Sequence, residues 1–75
     1  MSNPHLVLCG DVLIRCYATK DGIIERETLI KEVKATDLEV AKAIETLDEL
    51  GLVRFWPKCL MLTGKGFKAA MALRG

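Results

Sequence analysis

Between Gly51 and Gly75 the chain carries five cations, Arg54, Lys58, Lys65, Lys68 and Arg74, and no carboxylate. Cations without neighbouring acids suit phosphate, because they replace the counterions condensed on a nucleic-acid backbone whatever its base sequence. Trp56, the one tryptophan, lies between Arg54 and Lys58 and precedes Pro57. Pointing outward, an aromatic flanked by basic residues suits the centre of a protein interface, and less well a surface on which a base stacks; if the hairpin bends, it covers the domain's own edge instead. The preceding segment has the opposite balance. From Glu25 to Leu50 eight acids stand against four bases, a net charge of −4. The last 25 residues carry +5 and the first 24 are neutral, so the overall charge of +1 hides a strong asymmetry.

Other chemistry is thinly provided. His5 is the only histidine, close to the amino terminus, and Cys9, Cys16 and Cys59 form no CxxC pair. Metal-ligand spacing is absent, so neither a metal nor a cofactor is expected. No nucleophile stands with a base, and no carboxylate pair has a pocket to share, so the chain reads as a non-enzyme. Gly64-Lys65-Gly66 lacks the spacing of a phosphate-binding loop and reads instead as a place of close approach before a helix. Cys9 and Cys16 lie two turns apart on one helical face, where packing explains them better than a redox switch. An odd cysteine count without a signal peptide fits a reducing cytoplasm. No apolar run reaches the ~18 residues of a membrane span.

These residues must be positioned by a small scaffold. Seventy-five residues make one domain, 1–75, with a marginal core. Half the residues are apolar, more than such a domain buries, and a homodimer is the expected outlet. A first helix is predicted from about Pro4 to Thr19, with Asn3 as its cap and a stop at Asp21-Gly22. Its apolar residues cover two stripes, and the second one predicts a dimer interface. Ile23-Ile24 is a short strand. A second helix follows from about Glu25 to Lys34, with Leu29, Ile30 and Val33 inside. Thr36-x-x-Glu39 is a capping box that starts a third helix, about Asp37 to Leu50, with Val40, Ile44 and Leu47 inward. A two-residue turn at Pro57-Lys58 pairs Phe55 with Leu60 and Val53 with Leu62, all four facing the helices. Arg54, Trp56, Cys59 and Met61 then face outward. Thr63 caps a last helix, about Gly64 to Leu73.

Three segments carry a family resemblance: Gly22 to Val33, Val40 to Leu47 with Gly51-Leu52-Val53, and Leu62 to Gly66. In order and spacing they resemble the winged helix-turn-helix regulators typified by the MarR-type (multiple antibiotic resistance) repressors. The resemblance covers about two-thirds of the chain. It implies that the third helix enters the major groove, that the hairpin wing lies along the minor groove or backbone, and that terminal helices dimerise. The family's DNA-facing positions fall on Leu38, Glu39, Lys42 and Thr46. A second likeness, over Glu39-Val40 to Trp56 and Leu62 to Ala70, is to the small winged-helix subunit associated with dissimilatory sulfite reductase.

The expected fold is therefore α+β and mostly helical, a winged helix-turn-helix with a short β-hairpin wing and a C-terminal helix. The first function expected is a sequence-specific, double-stranded-DNA-binding transcriptional regulator acting as a cytoplasmic homodimer. Lys34, Thr36, Lys42 and Thr46 would address the duplex from the helix-turn-helix, with Arg54, Lys58 and Lys65 on phosphates. The alternative is a protein-interaction winged helix, an adaptor, modulator or inhibitor with little DNA affinity. Leu6, Leu13 and Tyr17 are the expected interface residues of the first helix, with Trp56 and Met61 those of the wing.

Overall fold

The computed structural model describes residues 3–74. Asn3 opens the first helix by accepting the His5 backbone N–H on its side-chain oxygen at 2.9 Å, and Pro4 occupies the first turn, where no donor is missed. Helix α1 spans Pro4–Ala18, one residue short of the expected end. Thr19 stops it by donating both its backbone N–H and its hydroxyl to the Cys16 carbonyl. After the turn come β1, Ile23–Glu25, and α2, Arg26–Val33. Lys34 ends α2 in the left-handed region at φ 54°. The chain then enters α3, Asp37–Glu49, through Thr36.

The end of α3 is built from both sides. Gly51 adopts φ +74°, which lets its N–H reach the Asp48 carbonyl while the Leu52 N–H reaches Leu47. Acids in the last turn oppose the negative pole of the helix, and no basic residue of α3 lies there. Lys65 makes up the deficit by donating its ammonium to the Leu50 carbonyl at 3.0 Å. Thr63 donates its hydroxyl to the Gly51 carbonyl at 2.7 Å.

Strands β2, Val53–Phe55, and β3, Cys59–Leu62, form the expected hairpin, with Val53 opposite Leu62 and Phe55 opposite Leu60. Trp56 and Cys59 exchange both backbone hydrogen bonds across Pro57-Lys58. The sheet is antiparallel with β3 central, in the order β1-β3-β2. Helix α4, Gly64–Arg74, closes the chain. The Gly66 N–H bonds the Thr63 hydroxyl, as expected of a capping threonine. A Cβ on Gly66 would collide with the Leu52 carbonyl oxygen, so α4 meets the chain leaving α3 backbone to backbone.

All seven elements feed one apolar core. Cys9, Val12, Leu13 and Cys16 come from α1, Leu29 from α2, and Val40, Ala43, Ile44 and Leu47 from α3. Ile24, Val53, Leu60 and Leu62 cover the sheet's inner face, and Ala70 comes from α4. Two expectations fail here. Leu13 is buried, because it falls on the face that α1 turns to the core, and it offers nothing to a partner. Phe55 is 46% exposed, at the end of β2, an edge strand of the sheet. Among the described residues, no helix is long and apolar enough to cross a membrane.

Candidate functional site

Helix α3 buries Val40, Ala43, Ile44 and Leu47, so its opposite stripe is Leu38, Lys42, Glu45 and Glu49. All four are exposed, Leu38 at 66%. Lys42 is the only cation of that stripe, and carboxylates surround it. It lines one shallow cleft with Glu45 and Glu49 and an adjoining one with Glu39. The polar flanks of α3 are committed to the fold. Thr36 receives the Glu39 N–H at 3.1 Å, while Glu39 receives the Thr36 N–H at 3.0 Å and the Thr36 hydroxyl at 2.9 Å. Those bonds hold the Glu39 carboxyl below its ordinary range, the Thr36 backbone donor first and the hydroxyl second.

Thr46 is half-buried and lies 2.8 Å from His5 Nε2. The expected groove contact is thus turned towards α1, not outward. His5 is correspondingly an ordered part of the α1–α3 joint, and its Nε2 also lies 3.9 Å from Cys9 Sγ. Sequence reasoning missed this histidine. The signal was its spacing of four from Cys9 on a helix whose inner face was otherwise recognised. Cys9 also points at the Ala43 carbonyl, 3.8 Å away, and burial raises its pKa. Burial pushes the Cys16 thiol up to about 12. Neither cysteine meets the conditions of a reactive thiol.

The hairpin disposes of its side chains differently. Ile23, Met61 and Arg54 run across the outer face of the sheet, with Glu25 and Cys59 in the next row. Met61 and Cys59 are half-buried, and Ile23 and Arg54 are exposed. Trp56, 46% exposed, ends the outer face as an aromatic tip, and Phe55, also 46% exposed, ends the inner one. Because Trp56 and Cys59 form a hydrogen-bonded pair, Val53 and Phe55 turn their backbone donors and acceptors to the free edge of β2. Pro57 and Lys58 line a cleft with Arg26 and Ile30 and the carboxylates of Glu25, Glu27 and Asp37, so the hairpin turn adjoins the start of α3.

Of the seven residues expected to face a duplex, all but the half-buried Thr46 are exposed, and Thr36, Thr46 and Lys65 are engaged in internal hydrogen bonds. Of the five expected at protein interfaces, Leu6 and Trp56 are exposed, Met61 is half-buried, and Leu13 is in the core. Tyr17 is half-buried, edge-on to Phe67 with ring centroids 6.0 Å apart and with the Arg74 guanidinium 5.8 Å from its own centroid. It fastens α1 to α4. No protein-family model, curated protein or solved structure matches the chain.

Proposed function

We propose that the chain is a winged-helix protein that works through protein contacts and does not read base sequence. The winged-helix assignment is supported by the element order α1-β1-α2-α3-β2-β3-α4 and by a three-stranded sheet whose first strand pairs beside the hairpin. The functional reading is carried by the outer stripe of α3. A reading helix in a major groove needs cations and donors where the phosphates and base edges lie. This stripe offers Glu45, Glu49 and Leu38, with Lys42 already among carboxylates. An exposed aromatic tip with Arg54 beside it has instead the composition of an interface centre. The exposed Leu6, Val7, Met71 and Leu73 of α1 and α4 supply a further apolar surface, suited to pairing two copies.

A second reading has its own support. Arg54, Lys58 and Lys68 are exposed on the last third of the chain, which has no acidic side chain and suits nonspecific contact with a phosphate backbone. Fluorescence anisotropy on a labelled random duplex separates the two. At physiological salt of about 150 mM no binding is expected, and any binding at about 50 mM should vanish on Arg54→Glu/Lys58→Glu. Binding that persists at physiological salt, or that ranks duplexes by sequence, overturns the interaction reading.

A further inference from the structure

We propose that the wing of one copy docks on the outer face of α3 of a second copy, acid against base around an apolar centre. The proposal deepens the interaction reading by naming a partner, and it rests on that reading. Two surfaces of this chain are each half of an interface. The first is α3, where Leu38 stands 66% exposed in line with Glu45 and Glu49. The second is the wing, where Trp56, 46% exposed, shares the outer face with Arg54 and adjoins Lys58 at the turn. Each has an exposed apolar element and an excess of one charge, two glutamates against Lys42 on α3 and two cations at the wing.

The signs decide which surfaces meet. Wing against wing would oppose Arg54 and Lys58 with the same cations, and α3 against α3 would oppose glutamates with glutamates. Only α3 against the wing brings unlike charges together, and like-charge juxtaposition is what excludes wrong pairings. The imbalance is large at the level of segments: −4 over Glu25 to Leu50 and +5 from Gly51 onward. Arg54 is the cation left most available, because Met61 is its cross-strand neighbour while Lys58 shares a cleft with Glu25, Glu27 and Asp37 of its own chain. Exposed ion pairs are individually weak, so the aromatic tip against Leu38 holds the contact and the charges set its register. Two different patches meet, so the contact either closes reciprocally into a pair or continues into a chain.

Sedimentation velocity at about 50 mM and about 500 mM salt tests this, since the Debye length shortens roughly threefold between them. The association constant of the wild type is expected to fall at least about tenfold at the higher salt. Glu45→Lys/Glu49→Lys alone, and Arg54→Glu/Lys58→Glu alone, should each abolish the salt-sensitive association. A chain bearing all four reversals keeps the same net charge and restores α3–wing complementarity, so it should associate like the wild type. Circular dichroism checks that each variant is folded. Association indifferent to salt, reversals without effect, or a fourfold variant that fails to recover while folded overturns the proposal. Those results leave the interaction reading in place, whereas duplex binding at physiological salt removes the reading itself.

Discussion

The helical part of the molecule and the hairpin treat their polar and reactive groups in opposite ways. In the helices the hydroxyls, the histidine and the thiols are spent on the fold. Thr36 and Glu39 close a cap, Thr46 meets His5, and Thr19 stops α1. Cys9 and Cys16 are packed in the core. In the hairpin the polar and reactive groups are left open, with Arg54, Lys58 and the Trp56 indole exposed and Cys59 only half-buried. The difference teaches where to look for function. A side chain whose hydrogen-bonding capacity is already filled inside the domain has little left for a ligand, so the residue types of α3 overstate its capacity to read DNA.

The sharpest contrast lies between Cys16 and Cys59. Burial pushes the Cys16 thiol up to about 12, so the reactive thiolate is scarce at pH 7, and Cys16 is fully shielded as well. Iodoacetamide followed by peptide mass spectrometry should modify Cys59 at least about 10³-fold faster than Cys16, which must wait for the domain to open. Comparable rates would mean that α1 does not stay docked, and the contrast would collapse.

Gly66 is where the two parts touch, and substituting it breaks the comparison from the inside. Gly66→Ala drives a Cβ into the Leu52 carbonyl, a backbone atom with nowhere to go. It should destabilise the protein by about 3 kcal/mol in urea unfolding. Gly64→Ala has nothing within 4 Å of the added carbon and should stay within about 0.5 kcal/mol. Two glycines separated by one lysine would then differ by nearly the whole effect.

Much of this architecture was legible beforehand, and the failures share a cause. The cap at Thr36, the stop at Gly51, the turn at Pro57-Lys58 and the strand register are local, fixed by residue type and spacing within a few positions. The core faces of α2 and α3 followed from helical period alone. The misplaced residues depend on contacts between distant elements. Thr46 was assigned outward because nothing local reveals that His5, forty-one residues earlier, lies beside it. Lys65 reads as a phosphate contact because the Leu50 carbonyl at the end of α3 that it serves is fifteen residues away. Leu13 was placed outside because α1 is apolar nearly all round, and period alone does not choose between two apolar stripes. Phe55 follows the alternation but ends an edge strand and stays 46% exposed. The charge asymmetry was fully visible, and it is the part of the sequence on which the proposed function stands.

A smaller contrast sharpens the account of α3. Thr36→Ala removes the acceptor for the Glu39 N–H and should cost about 1 kcal/mol. Arg54→Ala or Lys58→Ala removes an exposed wing charge and should stay within about 0.5 kcal/mol while weakening whatever contact the wing makes. A wing substitution as costly as the cap would show that these cations serve the fold.

The smallest effect is the acid limb of that same cap. Thr36 donates two hydrogen bonds to the Glu39 carboxylate and holds its folded pKa below the unfolded value. A lowered folded pKa means that the unfolded chain takes up the proton first as pH falls. The contribution of Glu39 is therefore complete above its unfolded pKa and is lost as pH falls through the folded one. Glutamine can still accept the Thr36 N–H but has no proton to gain. The stability gap between wild type and Glu39→Gln should be widest near neutral pH and should narrow on acidification, in urea titrations at matched ionic strength. Subtracting the variant removes the acid response of every other carboxylate. A gap that does not change with pH would mean that Glu39 caps α3 without any help from its charge.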